Sequence, residues 1–145
     1  VLATLPYAFG VTTVIFGKHI DKIEGDRAKK IHTLPVLIGE KPARYLVMVM
    51  MILPYFLLIY LVAIKYYSPL ILTVVFALPQ LKVVLPVFLV PKPTRRPEDF
   101  PDGEGGWPLY FASMAFWYNR SFGTLFVMSL IGEVLVRIFL PEFWR

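Results

Sequence analysis

The sequence contains one dense polar stretch, GKHIDKIEGDRAKKIHTLPVLIG at residues 17–39, which forms a polar island between long apolar runs. Charge placed between apolar helices is costly unless it lies at a membrane surface or lines a wet cavity. The island therefore indicates a site at the edge of a bilayer, held there by membrane helices. Its charged residues are Lys18, Asp21, Lys22, Glu24, Asp26, Arg27, Lys29 and Lys30.

The composition is that of a membrane protein. Of the 145 residues 57% are hydrophobic, whereas a soluble domain is roughly 45–50% apolar. The chain has no cysteine, which excludes disulfides and Cys-based metal or redox sites and favours hard cations such as Mg²⁺. The net charge of +5 fits a positive-inside bias, and no basic patch with base-stacking aromatics lies outside the apolar runs. Membrane lipid is thus an expected partner and nucleic acid is not.

The apolar runs predict an all-α membrane fold of about three full transmembrane helices, a partial first helix and an interfacial helix. A span needs about 20 residues, so residues 1–16 predict the second half of a helix whose start is missing. Residues 45–64 and 70–90 predict two full spans, the second kinked by its prolines. Residues 108–119 are aromatic with a polar end and predict an interfacial helix, and residues 121–140 predict the last span.

Loop charges predict the orientation of these spans. Basic residues concentrate in the island and in the proline- and glycine-rich stretch 91–106, whereas the turn between the two full spans holds only Lys65. The positive-inside rule then places the island in the cytoplasm of a multi-pass protein of the plasma or inner membrane.

Three carboxylates, Asp21, Glu24 and Asp26, lie within the island. Asp21 and Glu24 share a helix face, and Gly25 indicates a local break before Asp26. Mg²⁺ suits such a cluster, because it takes one or two carboxylates and completes its shell with water and substrate phosphates. Basic side chains beside a metal site suit a polyphosphate, whose leaving group they neutralise. Those that follow are Arg27, Lys29 and Lys30.

A solvated amphipathic loop explains the same charges equally well. Pairs at i, i+4 such as Lys22 with Asp26 stabilise a helix by only about 0.2–0.5 kcal/mol. Charge spacing alone does not choose between the loop and the metal site.

The second half of the island, EGDRAKKIHTLPVLIG from Glu24 to Gly39, resembles the second aspartate-rich motif of the UbiA superfamily of intramembrane prenyltransferases. Its form is most similar to the chlorophyll synthase and archaeal ether-lipid branch. The resemblance implies nine helices around a cavity, of which this chain is the C-terminal half. It also implies a prenyl diphosphate bound through Mg²⁺ by two aspartate-rich motifs, and an allylic cation that an acceptor captures.

The resemblance carries over Glu24 and Asp26 as catalytic and metal-binding residues, with Asp21 as a further candidate metal ligand. The candidate substrate-binding residues are Arg27, Lys29, Lys30 and Lys82. Lys82 lies inside a span, about 12 Å from its cytoplasmic end, and either reaches the diphosphate or snorkels to the interface. Glu133 and Arg137, at i, i+4 in the last span, predict a structural pair.

The first half of the island departs from the family pattern. The family often has Asn-Asp where this chain has Lys18 and His19, and an aspartate where it has Lys22, with Asp21 one place away. A glycine common in the family is replaced by Lys30. His19 is either a replacement ligand or a hydrogen-bonded interfacial histidine.

Two functions follow from the resemblance. The first is transfer of a polyprenyl group from a prenyl diphosphate to a lipophilic acceptor: a quinone or other aromatic, a tetrapyrrole or a lipid alcohol. The alternative, motivated by the departures, is a non-catalytic UbiA-like subunit of a larger membrane complex. A transporter would also place charge at depth, but it does not account for the match at Thr33, Leu34 and Pro35.

Overall fold

The computed structural model describes residues 1–98, 100 and 106–139 of the chain. Within these ranges all regular structure is helical, as predicted. Three helices are long and apolar enough to cross a membrane: Glu40–Ala63, Pro69–Leu89 and Tyr110–Phe139. The elements in chain order are a 3-10 turn Leu2–Thr4, α1 Leu5–Asp21, α2 Ile23–Ala28, α3 Leu34–Ile38, α4 Glu40–Ala63, a 3-10 helix Pro69–Ala77, α5 Leu78–Leu89 and α6 Tyr110–Phe139.

Helix α1 runs beyond the apolar residues 1–16 and ends inside the island at Asp21. Charged residues such as Lys are good helix formers, so the change of polarity does not end the helix. The buried positions of α1 include Gly10 and Gly17. A Cβ at Gly17 would lie 2.8 Å from the backbone nitrogen of Ala112, so α1 and α6 approach each other backbone to backbone at this glycine.

The aromatic stretch and the last apolar run form one continuous helix, α6, where the sequence suggested an interfacial helix at 108–119 and a separate span at 121–140. The polar residues 119–121 interrupt the apolar run, but they include no proline or glycine that would end a helix. Leu140, the last residue of the expected span, lies outside the described residues.

The first third of α6 lies alongside the other spans. The hydroxyl of Tyr118 lies 3.2 Å from the carbonyl oxygen of Met51, near the middle of α4. Arg120 lines a pocket together with Gln80, near the middle of Pro69–Leu89. These contacts explain why α6 is one long helix: its aromatic part packs against neighbouring spans at mid-depth.

The span Pro69–Leu89 changes helix type after Ala77. Pro79 has no N–H, so the carbonyl of Val75 accepts from the N–H of Leu78 instead, in the 3-10 pattern. The buried residues of this span are three apart in the 3-10 helix and three or four apart in α5, as the two helix types require. They are Ile71, Val74 and Ala77 in the 3-10 helix, and Leu81, Val84 and Phe88 in α5.

Buried side chains from neighbouring helices hold the ends of this span. At its start the Glu133 carboxylate accepts from the backbone N–H of Ser68 at 2.9 Å and from the Ser68 hydroxyl. Glu133 also forms the predicted pair with Arg137, at 3.4 Å. At its other end Arg44, which is 5% exposed, donates to the carbonyl oxygen of Phe88 at 3.3 Å. Both contacts satisfy backbone groups that helix ends leave unpaired.

Candidate functional site

The site is built around the break between α1 and α2. The break falls at Lys22, with φ −110° and ψ 12°, rather than at Gly25, which lies inside α2. Across this break His19 in the last turn of α1 contacts Asp26 in α2, with 3.2 Å between Nδ1 and Oδ2. Since an ionised carboxylate only accepts, Nδ1 carries the proton in this contact. The Asp26 side chain is 14% exposed, so its orientation is set by His19 and by packing.

Glu24 points away from Asp26. Its carboxylate lies 3.4 Å from Nη1 of Arg27, and the two side chains are 83% and 57% exposed. An exposed pair of this kind contributes little to stability, because solvent screens it.

Helix α2 ends in a turn that presents two further cations, Lys29 and Lys30. The N–H of Ile31 donates to the carbonyl of Asp26 at 2.9 Å, and the N–H of Lys30 donates to that of Arg27 at 3.1 Å. This is a Schellman motif, which requires a left-handed residue after the helix. Lys30 takes that conformation, with φ 57°. Glycine adopts a positive φ without steric cost, which explains why a glycine would suit this position.

Asp21 faces α6 instead of the other carboxylates. Its side chain is 0% exposed; Oδ2 accepts from the backbone N–H of Ala112 at 2.9 Å, and Oδ1 lies 3.4 Å from Nζ of Lys92. Burial raises the pKa of the Asp21 carboxyl, and the N–H groups of Ala112 and Phe111 and the Lys92 charge oppose that rise. Asp21 thus caps the N-terminus of α6 from outside the helix.

Lys92 completes this junction between α1 and α6. Its Nζ donates to the carbonyl of Pro108 and lies 5.3 Å from the ring centre of Trp107. The ammonium group therefore lies among a carboxylate, a carbonyl and an aromatic face, while a quarter of the Lys92 side chain remains exposed.

Lys82 lies on the exposed face of α5. The contacts described for the chain do not join it to Asp26 or to the cations of α2. Lys82 lies inside the span Pro69–Leu89, away from both of its ends.

Residues 1–99, which include the island and both helices that build the Asp26–His19 contact, match the UbiA prenyltransferase family. The chain belongs to this family. Neither the curated proteins nor the solved structures compared with the chain gave a match. UbiA membership implies membrane prenyltransferase activity, a prenyl diphosphate and a lipophilic acceptor as substrates, and Mg²⁺ as the metal that members generally use.

The three acidic residues of the island have separate surroundings. Asp21 is bound to α6, Glu24 faces Arg27 and solvent, and Asp26 contacts His19. Among the described residues, no group of three or more His, Cys, Asp or Glu side chains is placed to hold a metal ion. Mg²⁺ needs only one or two carboxylates when water and substrate phosphates supply the rest. The geometry of the island therefore suits Asp26 as a single carboxylate ligand.

Two basic residues near the island have contacts that the sequence analysis does not predict. Arg44 binds the end of α5, and Lys92 binds Asp21 beside the start of α6. A usable signal existed for Arg44, because Glu40 precedes it at i, i+4 and pairs with it at 3.3 Å. Lys92 had no comparable local signal, since its partners Asp21 and Pro108 are distant in sequence.

Proposed function

We propose that this chain transfers a polyprenyl group from a prenyl diphosphate to a lipophilic acceptor in the membrane, with Asp26 at the diphosphate site. The observation that carries the proposal is the partly buried Asp26 carboxylate, held by His19 within the region that matches the UbiA family. Exposed cations follow it directly in the chain. They are Arg27, Lys29 and Lys30.

The chemistry breaks the bond between C1 of the prenyl group and the diphosphate oxygen, and the electron pair leaves with the diphosphate. A carbon or oxygen atom of the acceptor then bonds to C1 and gives up a proton. The cations of α2 and its turn neutralise charge that develops on the diphosphate, and Lys82 would do so from within its span. Mg²⁺ supplies further Lewis-acid stabilisation of the diphosphate oxygens when it is bound. His19 keeps the Asp26 carboxylate oriented.

The acceptor is a quinone or other aromatic, a tetrapyrrole or a lipid alcohol. Similarity of the island to the chlorophyll synthase and archaeal ether-lipid branch supports the last two classes. We assign the reaction to the cytoplasmic side, because the positive-inside rule places the basic island there.

The test is prenyl transfer by the complete protein in nanodiscs, with geranyl, farnesyl or geranylgeranyl diphosphate as donor and one acceptor of each class. Asp26→Asn should lower kcat/KM about 100-fold or more, as loss of a group that stabilises transition-state charge does. Glu24→Gln should have little effect, because the Glu24 side chain is 83% exposed. Glu98→Gln, at another exposed glutamate, is the matched control. Full turnover by Asp26→Asn would refute the assignment of Asp26.

A non-catalytic subunit is the second candidate, and the separate surroundings of Asp21, Glu24 and Asp26 are the observation that favours it. Calorimetry separates the two functions. Mg²⁺-dependent binding of a prenyl diphosphate that Asp26→Asn abolishes supports the enzyme. Absence of that binding, together with a constant set of copurified membrane proteins, supports the subunit.

A further inference from the structure

A short apolar helix, α3, directly precedes the membrane span α4. Gly39 alone joins the two helices, and its φ of 90° suits glycine and lets the chain change direction within one residue. Helix α3 packs against α1, α2 and α4, so it stays beside the ends of the membrane helices. Its 5 residues rise only about 8 Å, and all of α3 therefore lies close to the level at which α4 begins.

The outward stripe of α4, which consists of Lys41, Tyr45 and Val49, marks the membrane surface at this end. These residues follow at intervals of four, and all three side chains are exposed. A lysine, then a tyrosine, then an aliphatic residue is the order in which a helix passes from lipid headgroups into hydrocarbon. The headgroup region therefore surrounds the first turns of α4, directly after α3.

Helix α3 presents an apolar face outward at this level. Leu34, Leu37 and Ile38 form this outward face, at i, i+3 and i+4, and they are 45%, 65% and 39% exposed. Pro35, which lies off the face, is buried. Contact of these three side chains with water would be unfavourable, whereas the boundary between headgroups and acyl chains accepts the apolar face of a helix.

The charges beside α3 are complementary to phospholipid phosphate. Lys41 lies three residues beyond Ile38 and both are exposed, so the outward face continues into a cation. Glu40 is the one carboxylate within residues 28–45, and Arg44 pairs with it at 3.3 Å. Among the described residues, no carboxylate forms an ion pair with Lys41. An apolar face flanked by a free cation is typical of helices that lie in a membrane interface.

We propose that α3 is an interfacial membrane anchor, with its outward face inserted among the lipids of the leaflet on the island side, at the level of Lys41. The lipid leaflet is the occupant of this face, because the face is continuous with the outward stripe of α4. Residues 29–33 join α3 to α2, so the anchor also sets the height of Asp26 relative to the leaflet. The anchor is independent of prenyl transfer, because it requires only that α3 lies at the membrane surface.

The experiment places a bimane fluorophore on Leu37→Cys in the complete protein in nanodiscs, and the unsubstituted protein treated in the same way is the blank. Lipid that carries a nitroxide near the top of its acyl chain should remove most of this fluorescence, and iodide in the water should remove little. Ala28→Cys, at an exposed position of α2, is the water-facing control and should show the reverse. Val49→Cys is the lipid-facing control.

Lipid quenching at Leu37→Cys that is no stronger than at Ala28→Cys would overturn the proposal. Strong iodide quenching would then place α3 in water, and protection from both quenchers would show that another protein segment covers the outward face. Leu34→Cys and Ile38→Cys repeat the measurement at the other two positions of the face, so the test does not depend on one variant. Activity is not measured, and failure of the anchor would leave the prenyltransferase assignment unchanged.

Discussion

At Gly17 the backbones of α1 and α6 approach so closely that no side chain fits between them. A Cβ there would lie 2.8 Å from the backbone nitrogen of Ala112 and 2.8 Å from the carbonyl oxygen of Phe111. Backbone atoms cannot rotate away as a side chain can, so Gly17→Ala must push α1 from α6. We expect it to lower the free energy of unfolding by about 1–3 kcal/mol, the usual cost of overpacking. Thermal unfolding in nanodiscs measures the change.

Gly25 provides the matched control for this substitution. A Cβ at Gly25 would have nothing within 4 Å, and the residue lies inside α2. Gly25→Ala should therefore leave stability unchanged or raise it by up to about 1 kcal/mol, because alanine is the better helix former. Equal losses for the two variants would show that the α1–α6 contact is not the cause.

The sequence identifies Asp26 as the acidic residue of the motif, but it does not identify its partner. His19 and Asp26 are in contact across the helix break at Lys22, and neither proline nor glycine marks that break in the sequence. Gly25 was the expected break, yet one glycine costs a helix only about 1 kcal/mol and is tolerated in α2. Lys30 departs from the family glycine, and its left-handed conformation shows what that glycine accommodates.

At the scale of elements, α6 begins where Asp21 binds it. Asp21→Leu leaves the Ala112 N–H and the Lys92 ammonium without their carboxylate, so the first turn of α6 should open and stability should fall by about 1–3 kcal/mol. Asp21→Asn keeps an acceptor oxygen for Ala112 and should lose less. Hydrogen exchange of the amides at residues 111–113 measures this opening directly.

Unchanged exchange in Asp21→Leu would show that packing alone holds the start of α6. This junction could not be predicted from sequence, because Asp21 and Ala112 are 91 residues apart and periodicity reports only local neighbours. The positions of the membrane-spanning helices were easier to predict from the sequence. The two full spans were expected near their observed positions, whereas the polar residues 119–121 suggested a boundary that packing against α4 overrides.

At the scale of the whole molecule, the two ends of α4 should lie on opposite sides of the membrane, with the island end in the cytoplasm. These 145 residues hold no cysteine, so Lys41→Cys and Lys65→Cys each add one labelling site to this part of the protein, and the parent protein treated in the same way is the blank. A membrane-impermeant maleimide should label the Lys65→Cys variant in intact cells and the Lys41→Cys variant only after permeabilisation. The reverse pattern would invert the orientation and move the diphosphate site to the outer face.

The 3-10 half of the span Pro69–Leu89 also changes how far that span reaches. Nine 3-10 residues rise about 18 Å and the twelve residues of α5 rise about 18 Å, so the span is about 36 Å long. The 24 residues of α4 also rise about 36 Å. A shorter segment thereby equals its neighbour in length, so both ends of the pair can lie at the same two membrane surfaces.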